Sequence, residues 1–113
     1  MTDVSIRLLL CRMMELRKTD VFEKWINGLQ DINAKARILT RIQRLALGNA
    51  GDVKPVGEGV SELRIDYGPG YRVYFFKRKH DLIILLAGGN KKTQAKDIKY
   101  ALQLSDSLSE GYS

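Results

Sequence analysis

The stretch Glu62-Leu63-Arg64-Ile65-Asp66-Tyr67-Gly68-Pro69-Gly70-Tyr71-Arg72-Val73-Tyr74-Phe75-Phe76 decides the fold. Leu63 and Ile65 alternate with Glu62, Arg64 and Asp66, and Val73 and Phe75 alternate with Arg72, Tyr74 and Phe76. Alternation at period two marks strands, and Gly-Pro-Gly between them marks a tight turn, so the segment predicts an antiparallel hairpin. One face is apolar and the other carries arginines and a tyrosine. Keeping the apolar residues of both strands on one face requires paired positions to sum to an even number. A turn at Gly68-Pro69-Gly70 then sets Ile65 opposite Val73, Asp66 opposite Arg72, and Arg64 opposite Tyr74. In that register Asp66 orients Arg72, and Arg64 lies beside the Tyr74 ring. A sheet face of Arg and Tyr suits phosphate contacts and base stacking.

Downstream, Lys77 to Asp81 reads as a turn. Leu82 to Ala87 is almost wholly apolar, as a strand buried on both faces should be, and Gly88-Gly89-Asn90 ends it. Lys91-Lys92-Thr93 opens a last helix, with Ile98, Ala101 and Leu102 on its apolar edge and Lys92, Lys96 and Lys99 on its basic edge. The Ser-rich segment 105–113 reads as a frayed tail.

Upstream, Met14 to Lys18 is a short candidate strand. Asp20 followed by Glu23 forms a capping box opening a helix to Asn27, stopped at Gly28. Phe22, Trp25, Ile26 and Leu29 make its buried side, so Trp25 is a core anchor. Asp31 caps a longer helix to Leu47, with Ile38, Leu39, Ile42, Leu45 and Ala46 facing the core. Arg37, Arg41 and Arg44 share one face of it and are candidates for contacting a polyanion. The two helices form a helical hairpin. Segment 48–59 reads as a glycine-rich loop without the Lys-Ser/Thr of a phosphate-cradling motif, and Lys54 in it is a candidate anion contact. The expected fold class is therefore α+β: a helical hairpin packed on a small, mainly antiparallel twisted sheet, with a C-terminal helix. Residues 13–104 form one domain, 1–12 an extension outside the core fold and 105–113 a flexible tail.

The 113 residues suffice for one core, and 19 Lys plus Arg against 13 Asp plus Glu leave a net charge of +6 and a pI near 9.6. That balance favours RNA, DNA or an acidic protein as partner. Cys11 stands alone, so no internal disulfide forms and a reducing cytoplasm is the expected setting. Ile6, Leu8, Leu9 and Leu10 resemble a short signal core, but Arg7 interrupts them and no small-residue cleavage site follows. No apolar run approaches the roughly 20 residues of a membrane span.

One Cys and one His build no ordinary zinc site, so no metal or cofactor is expected. His80 falls in a turn, away from the sheet face, and a single imidazole cannot act as a paired acid and base. What remains is cationic. Arg64 and Arg72 share the hairpin's polar face, and Lys91 and Lys92 emerge at the end of the buried strand. Such groups bind phosphate and stabilise a developing pentavalent phosphorane. They are poor bases unless a neighbouring charge lowers a lysine pKa. Tyr71 and Tyr74 are candidates for stacking on bases or moving protons.

At these residues the chain resembles the RelE/ParE superfamily of bacterial toxins from type II toxin–antitoxin systems, and is most similar to the addiction-module killer branch. The likeness runs from Met14 to about Leu104. It is carried by Phe22 to Leu29, Leu45-Ala46-Leu47-Gly48-Asn49, Gly51 to Gly57, Glu62 to Phe76, and Leu86 to Gln94 with Asp97-Ile98. The resemblance implies a toxin held silent by a cognate helix-turn-helix antitoxin. It implies either ribosome-dependent mRNA cleavage or, as the alternative, non-enzymatic inhibition of DNA gyrase. Arg72, in Gly-Tyr-Arg-Val, matches the family's sheet arginine at the scissile phosphate. Arg64 and Lys92 fall where RelE-type toxins place further basic residues. The resemblance thus implies a catalytic set of Arg64, Arg72 and Lys92, and the reading of the residues themselves adds Lys54, Tyr71, Tyr74, Lys91, Arg37, Arg41 and Arg44 as RNA contacts. Two positions depart from the pattern: Glu62 replaces a strand lysine, and Ile98 replaces a helix tyrosine. Any general base must then be another group, a lysine or Tyr74.

Overall fold

The computed structural model describes residues 14–79 and 81–112, with side chains described as far as Leu108. The 1–12 extension with Cys11, and His80, lie outside the described residues. Five strands, β1 (Glu15–Lys18), β2 (Val53–Gly57), β3 (Val60–Ile65), β4 (Tyr71–Arg78) and β5 (Leu82–Asn90), form one sheet in the order β1-β5-β4-β3-β2. Among the described residues only the β1–β5 pairing is parallel. Helices α1 (Asp20–Gly28) and α2 (Ile32–Ala46) form the hairpin on one side, and α3 (Gln94–Tyr112) covers the other. The fold class is thus the α+β arrangement expected.

Period-two side chains explain the three layers. Leu63, Ile65, Val73, Phe75, Ile83 and Leu85 pack against Phe22, Ile26, Ile38, Ile42 and Leu45 of the helical hairpin. Val60, Tyr74, Ile84, Leu86 and Ala87 pack on the opposite face with Ala101 of α3. Strand β5 is buried on both faces, which is why its sequence shows no alternation. Each fully buried Phe or Ile stabilises the fold by about 1.5–3 kcal/mol.

Several local expectations are corrected. The cap of α1 is Thr19, not Asp20. Its hydroxyl accepts from the Phe22 amide and donates to the Leu86 carbonyl, so one side chain caps the helix and ties it to β5. Asp31 does cap α2, accepting from the Ala34 amide. Leu39 is exposed rather than core, and Ala34 takes an inner position. The 48–59 segment is not all loop, because β2 pairs with β3 at the sheet edge, where Pro55 is tolerated.

Gly88-Gly89-Asn90 does not end β5. A Cβ at Gly88 would collide with the Trp25 ring, and one at Gly89 would meet the Asp97 carboxylate, so the strand continues where two close approaches demand glycine. Trp25, edge-on to Tyr71 at 6.3 Å, is the core anchor expected. At the C-terminus α3 runs past Leu104 to Tyr112. Ser105 is buried and Leu108 packs on the sheet, so helical structure occupies most of the stretch expected to fray.

The hairpin register also differs. Leu63 pairs with Val73, Arg64 with Arg72, and Glu62 with Tyr74. This is a shift of two positions, which keeps every residue on its expected face but changes its neighbour. The loop 66–70 is longer than Gly-Pro-Gly alone, closed by Tyr67 N–H to Ile65 O and Gly70 N–H to Tyr67 O. Asp66 therefore lies in the turn and does not orient Arg72.

Candidate functional site

Arg64 and Arg72 share the α3 face of the sheet, as expected, but stand directly opposite each other, where the expected register set Arg64 against Tyr74. Like charges so placed repel. What holds them is Glu62, two residues before Arg64 on the same face and fully buried. Its Oε1 lies 3.3 Å from Arg64 Nε and 3.5 Å from Arg72 Nε. Neither approach completes a hydrogen bond, so the attraction there is Coulombic. Its Oε2 accepts from the Tyr74 hydroxyl at 3.1 Å and from Gln94 Nε2 at 2.9 Å. One carboxylate thus joins β3, β4 and the first residue of α3.

This arrangement corrects the expectation of an open cationic sheet. The Arg72 side chain is only 9% exposed, and its Nη1 donates to the Gly70 carbonyl. Arg64 is the accessible member of the pair, with 37% of its side chain exposed. Tyr74 is buried and cannot stack on a base. Burial, reinforced by the Glu62 carboxylate and its hydrogen bond, pushes the Tyr74 phenol well above its ordinary range, so it stays protonated at neutral pH and cannot be the base.

The other candidates divide between the two faces. Lys54 pairs with Glu62 across β2–β3 and stands exposed on the α3 face. Lys91 and Lys92 lie exposed in a single 3₁₀ turn after β5, fixed by Asn90, whose side chain accepts from the Lys92 and Thr93 amides. Lys91 also neighbours the hairpin tip: a Cβ at Gly70 would lie 3.4 Å from Arg72 Nη1 and 3.5 Å from Lys91 Cβ. Tyr71 is not part of this cluster, since it packs beside Trp25 on the helical-hairpin face.

Arg37, Arg41 and Arg44 also lie on that second side. They line a cavity with Ala36, Thr40, Ile65 and Asp66. Arg37 sits over the Tyr67 ring, 4.6 Å from its centroid. Sequence reasoning passed over Tyr67 and Gln94. Tyr67 was detectable as an aromatic beside a Gly-Pro-Gly tip, but Gln94 had no local signal. Among the described residues no group of His, Cys, Asp and Glu is placed to hold a metal ion, and no helix is long and apolar enough to cross a membrane.

The model of the phage-derived Gp49-like family (DUF891) matches residues 24–106, which include Glu62, both arginines and the first turns of α3. An uncharacterized protein of Haemophilus influenzae is 48% identical over 95 residues, spanning 84% of this chain and 96% of the relative. The chain belongs to the Gp49-like family, a toxin–antitoxin-associated family related to RelE-like toxins.

Proposed function

We propose that this chain is the toxin of a type II toxin–antitoxin pair and arrests growth by cleaving mRNA on the ribosome. The observation that carries this reading is the cross-strand Arg64–Arg72 pair, with Lys91 beside the same hairpin tip. A scissile phosphate approaching there meets Arg64 first. Lys91 and Lys92 add positive potential, and Arg72 contributes its charge from beneath the surface. In the reaction the ribose 2′-oxygen bonds to the adjacent phosphorus and the bond to the 5′-oxygen breaks. The 2′-proton departs to a base, and the leaving oxygen takes a proton. The field of the cations stabilises the extra charge of the phosphorane. With Tyr74 held as a protonated donor to Glu62, the proton acceptor is left to a lysine of the cluster or to the ribosomal site, which also supplies positioning.

The locked tyrosine also favours a second reading, in which the chain inhibits DNA gyrase without catalysis. Induced expression, with transcript ends mapped in the presence and absence of ribosomes, separates the two. New ribosome-dependent ends support cleavage, whereas intact transcripts with a DNA-break response overturn it. Arg64→Gln is the informative variant, because Arg72→Ala would strip a buried ion pair and confound activity with folding. A folded Arg64→Gln protein with full toxicity would remove Arg64 from the site.

A further inference from the structure

We infer a second nucleic-acid site on the reverse side of the hairpin. There the groove between α2 and the hairpin tip grips the backbone of single-stranded RNA and stacks a base. The groove is a cavity of about 370 Å³ lined by Arg37, Arg41 and Arg44 with Ile65 as its apolar wall and Asp66 as its single carboxylate. None of the three arginines forms an ion pair among the described residues.

The groove is built rather than incidental. Arg41 Nη1 donates to the Arg64 carbonyl at 2.9 Å, and its Nη2 donates to the Ala50 carbonyl at 3.2 Å. A Cβ at Gly51 would approach Arg41 Nη2 to 2.8 Å, so the loop packs directly on this guanidinium. A guanidinium carries five N–H donors, and those not spent on the two carbonyls remain for an anion. The Arg37 guanidinium carbon lies 4.6 Å from the centroid of the Tyr67 ring, so an exposed cation and an aromatic stand together where a base of single-stranded RNA could stack. Arg44 stands two helical turns from Arg37, about 10 Å along the axis, with its side chain free of partners among the described residues. The Arg64 peptide oxygen holds Arg41 on this side while the Arg64 side chain leaves on the other. The strand therefore carries one cationic site on each face, and RNA can pass from one to the other round the tip.

The choice of RNA rests on the toxin reading above, so the test separates binding from chemistry. The probe is a roughly 12-nucleotide 2′-O-methyl RNA, which lacks the attacking hydroxyl, with anisotropy read between about 50 and 200 mM salt. The double variant Arg37→Gln/Arg44→Gln is expected to lose about tenfold in affinity at the lower salt and to flatten the log–log salt slope by about 1.4. Tyr67→Ala is expected to weaken binding severalfold, and Tyr67→Phe to leave it unchanged. Circular dichroism verifies each fold, and Arg44→Gln alone, which removes no contact, serves if the double variant unfolds. Unchanged affinity and slope in a folded variant overturn the inference. So does polyglutamate displacing the RNA with equal affinity, which would mark the groove as a site for an acidic polypeptide. Transcript cleavage with no groove effect removes this site and leaves the toxin reading standing, whereas groove binding without cleavage does the reverse.

Discussion

Replacing Glu62 with glutamine removes one charge and almost no volume, yet it acts on four partners at once. Tyr74 Oη and Gln94 Nε2 lose charge-assisted hydrogen bonds, each worth about 1.5–3 kcal/mol against about 0.5–1.5 for neutral ones. Arg72, with 9% of its side chain exposed, is left with no counter-ion, and stripping one partner from a buried pair costs about 3–5 kcal/mol. Arg64 adds little, because its side chain is 37% exposed and water screens it. These losses share one charge and overlap, so the expected cost is about 4 kcal/mol, against a typical domain stability of about 5–15 kcal/mol. Urea unfolding followed by circular dichroism and Trp25 fluorescence measures it directly. In a thermal melt the same loss lowers Tm by roughly 15 °C for a chain of this size. The second arm is Glu62→Gln/Arg72→Met, which removes both charges. It should be more stable than the sum of the single losses by about 2 kcal/mol or more, because a buried pair replaced by neutral groups leaves no stranded charge. A Glu62→Gln loss under about 1 kcal/mol, or strict additivity in the cycle, would refute this account.

Thr19→Ala should cost about 1–2 kcal/mol, since it deletes the α1 cap and leaves the Leu86 carbonyl without its hydroxyl donor; Thr19→Ser should recover most of it in the same urea titration. Gly88→Ala should cost about 1–3 kcal/mol by driving a methyl into the Trp25 ring, and a wild-type melting curve would contradict the packing described. Tyr74 makes stability fall in alkali. Its phenol is raised above the ordinary value of 10.0, so the protonated form is favoured in the fold. That stabilisation is complete below the unfolded value and is lost as pH climbs toward the folded one. Tyr74→Phe should flatten this alkaline slope, and an unchanged pH–stability profile would exclude the assignment.

Element order and sidedness were legible because period-two and helical spacing encode which face a residue occupies. Leu63, Ile65, Val73 and Phe75 announced the core face correctly. Register was not legible. A slip of two positions leaves every face unchanged, so the pattern could not choose between Arg64 opposite Tyr74 and Arg64 opposite Arg72. The turn length makes that choice, and loop 66–70 closes through backbone bonds that leave no mark in the alternating side-chain pattern. Strand β2 was hidden for the opposite reason: Pro55 and Gly57, with glycines on either side, read as loop, and only pairing with β3 at an edge makes the segment a strand. Burial of the polar face was hidden too. Gln94 reaches Glu62 from 32 positions away, and no local pattern announces that contact.

The Glu62 carboxylate changes what the arginine pair can do. Two opposed guanidinium groups would repel and splay if bare. With one anion between them the trio carries a single net positive charge, and that charge is presented through Arg64, the more exposed partner. Exposure therefore separates Arg72 and Tyr74 from the other candidates on this face. Arg72, Glu62 and Tyr74, buried and joined by the half-buried Gln94, form a polar lock whose loss is read in stability. Arg64, Lys54, Lys91 and Lys92 stand toward solvent, where loss is read in ligand binding. A basic residue in place of Glu62 would turn the same backbone into an open cationic surface. The acidic residue converts it into a fixed frame for one guanidinium, at the cost of the potential that a bare pair would supply.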